Sequence, residues 1–286
     1  MEGKTRREFL KNTGIGLGAF AFSHMSGWPC LGSDRRRALP AGEAERLSLG
    51  MASYTFREFS LEETIAMTKR LGLERIALKS FHLPLESTEE EILQVAEKVR
   101  DAGLDLYGCG VVYMKSEADV RRAFDVARTA GIRIIIGAPD WQLLKMVNKM
   151  VNRYDIGLAI HNHGPHDTLY PTPESAYSRI KDLDSRVGLC LDVGHTQRAG
   201  VDPSEPAERF FDRLLDVHIK DVTAATGEGR TVEIGRGVVD IPRFLKTLLD
   251  LGFQGCVSFE FEKDGSDPLP GVAESVGYVR GVLAVI

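Results

Sequence analysis

From Leu47 onward the chain repeats one pattern eight times, a short apolar run followed by a longer amphipathic stretch. The runs are Leu47–Ser53, Arg75–Ser80, Asp105–Val112, Arg133–Ala138, Gly157–Asn162, Val187–Val193, Leu215–Lys220 and Cys256–Glu262. They are continuous rather than alternating, as in Ile132-Arg133-Ile134-Ile135-Ile136, which suits strands covered on both faces. Stretches such as Leu61–Leu71, Glu89–Ala102, Ala118–Ala130 and Ile241–Leu251 carry apolar residues at helical spacing. Several of them stop at a glycine: Gly72, Gly103, Gly131 and Gly252. Glycine past the last turn takes the left-handed conformation that ends a helix. Eight such units predict an α/β fold, a (β/α)8 TIM barrel spanning residues 46–286. The alternative is a doubly wound open sheet, but no glycine-rich phosphate fingerprint follows the first run.

The preceding residues, 1–45, read as an address rather than as part of the fold. Lys4, Arg6, Arg7 and Lys11 come before an uncharged stretch from Thr13 to Phe22. That stretch is far shorter than the ~20 apolar residues a bilayer span needs, so no stable membrane span is expected. Thr5-Arg6-Arg7-Glu8-Phe9-Leu10-Lys11 resembles a twin-arginine (Tat) signal, a receptor-read tag for cargo that is exported folded. The resemblance implies the Tat translocon as a partner and a periplasmic or otherwise extracytoplasmic location. No clear cleavage point stands out between Ser23 and Ala41.

The formal charge is −5, and the first 37 residues contribute +4, which leaves −9 for the rest. An acidic body does not attract a phosphate backbone, so a nucleic-acid partner is not expected. Four cysteines, Cys30, Cys109, Cys190 and Cys256, are spread out with no CxxC pair. The last three lie in or beside apolar runs, where buried free thiols are the expectation.

In a barrel of this kind, chemistry gathers at the C-terminal ends of the strands. Four of the seven histidines fall there. Strand five ends in His161-Asn162-His163, strand six in Asp192 with His195 just beyond, strand seven in His218 and Lys220, and strand eight in Glu260 and then Glu262. His161, Asp192, His218 and Glu260, one from each of four adjacent strands, form a candidate set of metal ligands. Two imidazoles and two carboxylates suit one divalent ion, whether Mn, Co, Fe, Zn or Mg. His218 and Asp192 lie inside apolar runs, where an unpaired polar group would be costly. Glu260, His195 and Lys79 are the catalytic candidates, and His163, Arg236 and Lys220 the substrate-binding ones. Lys220 is expected on the opposite strand face from His218, which makes it the weaker candidate. His82, just past strand two, is a candidate to reach the mouth.

On these residues the chain resembles the sugar phosphate isomerase/epimerase family, the xylose isomerase-like TIM barrels. The resemblance runs from Leu47 to Ile286. It is carried by Gly188-Leu189-Cys190-Leu191-Asp192-Val193-Gly194-His195, Val217-His218-Ile219-Lys220-Asp221, Gly235-Arg236-Gly237-Val238-Val239-Asp240 and Gly255-Cys256-Val257-Ser258-Phe259-Glu260. It implies a divalent ion held by a glutamate after strand five, an aspartate after strand six, a histidine on strand seven and a glutamate after strand eight. Asp192, His218 and Glu260 match the last three. His195 matches a histidine that contacts substrate, and Arg236 lies in a stretch that often supplies a substrate arginine. The implied activity is isomerisation or epimerisation of a keto sugar or related carbohydrate, by proton abstraction next to a metal-polarised carbonyl.

At strand five the chain departs from the family: His161 stands at the glutamate position. Ketose 3-epimerases of the family use two metal-bound glutamates on opposite faces of the sugar, and here only Glu260 remains. His163, His195 or Lys79 would have to serve as the second base. The alternative is a one-sided reaction: isomerisation, elimination of a β-leaving group, or hydration, the last two being lyase or hydratase chemistry on oxidised sugars or glycosides. A non-catalytic sugar-binding barrel is a further reading. An endonuclease IV-like role fits poorly, because Val222–Gly237 lacks an Asp-x-His pair and the body is acidic. A phosphorylated substrate is not expected, given the export signal and the lack of a phosphate-cradling glycine loop. The oligomeric state is left open by the sequence.

Overall fold

The computed structural model describes residues 47–286. The twin-arginine segment, its linker and Cys30 lie outside the described residues. The eight apolar runs form parallel strands: β1 (Ser48–Ala52), β2 (Arg75–Leu78), β3 (Asp105–Met114), β4 (Ile134–Pro139), β5 (Gly157–His161), β6 (Val187–Asp192), β7 (Leu214–Ile219) and β8 (Cys256–Phe259). Each pairs with its sequence neighbours, and β8 closes onto β1, with Ser48 opposite Cys256 and Met51 opposite Phe259. The fold is therefore the (β/α)8 TIM barrel that the alternation predicts.

Nine helices lie among the described residues: α1 (Leu61–Arg70), α2 (Glu89–Asp101), α3 (Glu117–Ala130), α4 (Leu144–Tyr154), α5 (Pro173–Ile180), α6 (Val193–Arg198), α7 (Ser204–Arg209), α8 (Ile241–Asp250) and α9 (Leu269–Leu283). The first three begin with capping boxes on Ser60, Thr88 and Ser116, whose hydroxyls accept the backbone N–H of Glu63, Glu91 and Asp119. These satisfy donors that every helix start leaves free. The helix-stopping glycines act as the sequence suggests: Gly72, Gly103, Gly131 and Gly252 all have φ between +67° and +78°.

Two apolar compartments result. A large one lies between strands and helices, with Phe56, Phe124, Phe244 and Val147 fully buried. A small one fills the barrel itself, made of Ala77, Tyr107, Val111, Ile136, Ala159, Cys190 and Cys256. The three cysteines in the described region are free and buried, as expected. No helix among the described residues is long and apolar enough to cross a membrane.

Strand β8 ends three residues earlier than its apolar run. Past it, the side chain of Thr55 replaces the ladder: its hydroxyl donates to the Phe259 carbonyl and accepts from the Phe261 N–H. Glu260 and Glu262 thus sit on the irregular segment just past the strand, where the Glu260 N–H still donates to the Ile219 carbonyl.

After β7, Asp221 organises the segment that follows. Its buried carboxylate accepts the N–H groups of Val222, Gly235, Gly237 and Val239 at 2.8–3.1 Å. Gly237 is required there, since a Cβ would fall 2.1 Å from Asp221 Oδ1. Replacing Asp221 by alanine strands those donors. We expect Asp221→Ala to lose about 3 kcal/mol in chemical denaturation, and Asp221→Asn, which keeps one acceptor oxygen, to lose less.

Candidate functional site

The site follows from strand periodicity. Residues two apart on a strand share a face. On β5 that face carries Ala159 and His161, on β6 Cys190 and Asp192, on β7 Asp216 and His218, and along β8 Ser258 and then Glu260. Register aligns them, with His161 opposite Cys190, Cys190 opposite Asp216, Asp192 opposite His218, and Ser258 opposite His218. The result is two stacked layers inside the barrel. The lower holds Cys190, Asp216 and Ser258, reached by Tyr107 from β3. The upper holds His161, Asp192, His218 and Glu260.

The upper four are all buried and converge on one point. His161 Nε2 lies 3.1 Å from His218 Nδ1, 3.2 Å from Asp192 Oδ2 and 3.8 Å from Glu260 Oε2. His218 Nδ1 is 3.2 Å from Glu260 Oε2. One potential ligand atom from each residue lies within 4.8 Å of the other three. A tetrahedral ion with bonds of ~2.1 Å would separate its ligands by about 3.4 Å, so the spacing fits. Asp192 Oδ2 has no hydrogen-bond partner of good geometry despite this crowding. Its other oxygen, Oδ1, accepts the His195 N–H at 2.7 Å and so caps α6.

Electrostatics reinforce the cluster. Burial alone would lower the His161 pKa, but the carboxylates of Asp192 and Glu260 outweigh it and hold the ring at about 9. Burial opposes ionisation of Asp192 and Glu260 as well. The Lys220 ammonium, with the nearby imidazoles, reverses that and keeps both carboxylates below their usual range.

Lys220 is at the centre of the site, contrary to the expectation from the sequence. Its Nζ lies 3.0 Å from Asp192 Oδ2, 2.7 Å from Glu260 Oε2 and 2.5 Å from Glu262 Oε1. The reason is the period of two: Lys220 follows His218 by two residues and shares its face. Burial favours its neutral form, yet the three carboxylates outweigh that and hold it charged.

His163 and His195 line the same mouth, with ring centroids 4.4 and 6.0 Å from His161. Burial, then the neighbouring imidazoles, push His163 down to about 2. Its Nε2 is 2.9 Å from the Tyr113 hydroxyl. Burial, opposed by Asp192 and aided by Lys220, lowers His195 to about 4. An Arg198 Nη1 lies 3.3 Å from His195 Nδ1. Arginine only donates, so Nδ1 accepts and Nε2 carries the proton.

Lys79 sits just past β2, its Nζ donating to the Val111 carbonyl and lying 5.2 Å from the Tyr113 ring centroid. Burial lowers its pKa, and Glu260 partly offsets that.

Two candidates lie elsewhere. Arg236 points outward, and its guanidinium is held by Glu274 on α9 at 2.5–2.6 Å. The glycines on either side let the Asp221 clamp turn the backbone, and the arginine emerges on the far side. His82 is a buried structural residue. Its Nε2 bonds the Phe59 carbonyl at 2.9 Å, and its Nδ1 accepts from Ser53, whose Oγ in turn accepts the Lys79 N–H at 2.8 Å.

Several site residues were not singled out by their sequence setting. Asn162 bridges β5 and β6: its Oδ1 accepts the Asp192 N–H, and its Nδ2 donates to Thr196 Oγ1. Its place between His161 and His163 was the available signal. Tyr54 and Tyr113, at the ends of β1 and β3, flank Lys79. Asp216 carried a signal too, as a carboxylate inside an apolar run.

Comparison with known proteins bears on the fold and the family. The xylose isomerase-like TIM barrel family matches residues 55–282. The L-ribulose-5-phosphate 3-epimerase UlaE of Escherichia coli O8 (strain IAI1) is 26% identical over 291 aligned positions, covering 87% of this chain and 93% of that one. Among solved structures, the zinc-bound IolI protein superposes with a TM-score of 0.70 at 17% identity, over 83% of this chain and 98% of that one. The 3-keto-D-glucoside 4-epimerase YcjR of E. coli does so with a TM-score of 0.68 at 16% identity, over 82% and 100%. With a closed eight-stranded parallel barrel, and with the family match covering most of its length, the chain belongs to the xylose isomerase-like TIM barrel family.

Proposed function

We propose that this protein is a divalent-metal-dependent isomerase or epimerase of a keto sugar or related carbohydrate. The observation that carries this reading is the convergence of His161, Asp192, His218 and Glu260 from four adjacent strands onto one ion-sized point. Relatives named as sugar epimerases support the reaction class. A divalent cation held by these four residues would polarise a substrate carbonyl as a Lewis acid.

The chain's own groups supply the proton chemistry. The contacts of Glu260 to His161, His218 and Lys220 all run to Oε2, which leaves Oε1 to take the proton beside the carbonyl. His195 offers an Nε2–H and so acts as a donor to a substrate oxygen rather than as a base. Lys79 and His163 line the mouth around Tyr113 and are positioned to contact the substrate. Lys220 neutralises the carboxylates and fixes their orientation. The amino-terminal segment supports export through the Tat translocon in folded form, which favours an unphosphorylated substrate outside the cytoplasm.

The ligand set on β5 bears on the stereochemistry. With His161 turned into the cluster, no second carboxylate matches Glu260 there. Proton removal from one face followed by return to the neighbouring carbon gives isomerisation. The same first step, followed by loss of a β-substituent, gives the lyase reaction, and product mass separates the two.

Metal analysis tests the reading. Wild type reconstituted with divalent ions is expected to hold close to one equivalent, and His161→Ala and Glu260→Gln are expected to lose most of it. Glu260→Gln is also expected to slow turnover by about 10²–10⁴-fold. A His161→Ala protein that keeps its metal would remove β5 from the ligand set, and a wild type that binds none would overturn the proposal.

Lys220 gives a second test. Lys220→Met leaves buried carboxylates without their cation. We expect the metal-free variant to lose about 3 kcal/mol of stability and the metal-loaded variant clearly less, since a bound cation replaces the missing charge. Equal losses with and without metal would contradict this.

A further inference from the structure

We infer that Asp216, one layer below the cluster, is a positioning residue that holds the His218 ring with Nδ1 turned towards the metal ligands. The inference rests on the metal reading of the cluster. Asp216 is fully buried inside the barrel, in a layer where its neighbours are Cys190, Ser258 and Tyr107. Burying a carboxyl group there is costly unless something uses it. Its polar neighbours reach it only through long contacts. The Tyr107 hydroxyl and Ser258 Oγ bond each other at 2.5 Å, whereas Tyr107 lies 3.4–3.5 Å from the carboxyl oxygens and Cys190 Sγ lies 3.7 Å away.

His218 does need it. Its Nδ1 faces His161 Nε2 and Glu260 Oε2 at 3.1 and 3.2 Å. Its Nε2 is buried and has no hydrogen-bond partner, and Asp216 Oδ2 faces it at 4.0 Å. A neutral imidazole carries its proton on one nitrogen only, so an Nδ1 lone pair free to bind metal requires the proton on Nε2. That buried N–H then needs an acceptor, and Asp216 provides one. The separation exceeds a hydrogen bond by about 1 Å, within reach of a rotation of the ring. A carboxyl group accepts through its carbonyl oxygen whether or not it is ionised, so the argument does not depend on its charge. Residues that orient a ligating histidine in this way affect metal affinity without touching the ion.

The test pairs Asp216→Val, which removes the acceptor, with Asp216→Asn, which keeps one. The first readout is the tautomer of His218 in metal-free protein labelled with ¹⁵N-histidine. The Nε2–H form is expected in wild type and Asp216→Asn, and a shift towards Nδ1–H in Asp216→Val. The second is zinc affinity by chelator competition, expected to fall about 10–100-fold in Asp216→Val and to recover largely in Asp216→Asn. Tyr107→Phe, which disturbs the same layer but keeps the carboxyl, is expected to hold both readouts at wild type. If Asp216→Val does not fold, the wild-type tautomer judges the inference alone, and an Nδ1–H form of His218 in wild type overturns it. The inference is overturned if Asp216→Val keeps the wild-type tautomer and affinity, or if Tyr107→Phe loses as much as Asp216→Val. A wild type that binds no zinc would instead count against the metal reading, and the tautomer comparison would still judge Asp216.

Discussion

The structure of the barrel mouth depends on one constraint: carboxylates buried away from water must find positive charge. Asp192 and Glu260 are almost fully excluded from solvent, and the ammonium of Lys220 lies within 3.0 Å of both. Taking an ion out of water costs several kcal/mol even after relaxation, so an unpaired carboxylate would be neutral or the site would open. Lys220 prevents both. With the His161 ring, which the same two carboxylates hold at about 9, it balances their charge, so a divalent cation entering the cluster would displace the proton on His161.

That charge balance also divides the labour among the site's oxygens. Asp192 uses Oδ1 to cap α6, which fixes the start of the helix bearing His195, and turns Oδ2 to the cluster. Glu260 turns Oε2 to the cluster from the segment past β8, which Thr55 holds through the Phe259 carbonyl and the Phe261 N–H. Rigid strands thus set the cluster, while the groups that would meet substrate stand on the short segments just above them. The lower layer of Tyr107, Ser258, Cys190 and Asp216 gives this arrangement a polar floor, unusual in a barrel interior otherwise filled by alanine, valine and isoleucine.

Much of this was legible in the sequence because it depends on local pattern. Continuous apolar runs such as Ile134–Ile136 mark strands covered on both faces, and glycines such as Gly131 mark where helices stop. Since every strand points the same way, the polar residues at the run ends had to share one face of the barrel, and that brought His161, Asp192, His218 and Glu260 together. Lys220 was assigned to the wrong face although the period of two places it beside His218. Arg236 and His82 could not be placed from pattern. The direction of Arg236 is set by the Asp221 clamp and by Glu274, far along the chain. His82 is absorbed by Ser53 and Phe59, contacts that exist only once β1 and β2 pair. The place of Asp216 beneath His218 depends in the same way on inter-strand register. The twin-arginine reading rests on the Thr5–Lys11 motif alone, in a segment outside the described residues.

The central claim, that Glu260 and the cluster activate the carbon next to a carbonyl, is tested most directly by hydrogen exchange. Metal-loaded protein would be incubated with a panel of unphosphorylated keto sugars in D₂O, and the recovered sugars read by NMR. The account predicts deuterium at the carbon next to the carbonyl of at least one sugar, abolished by chelation and by Glu260→Gln. Full metal occupancy with no exchange into any keto sugar would contradict it and leave the barrel as a metal-containing binding protein.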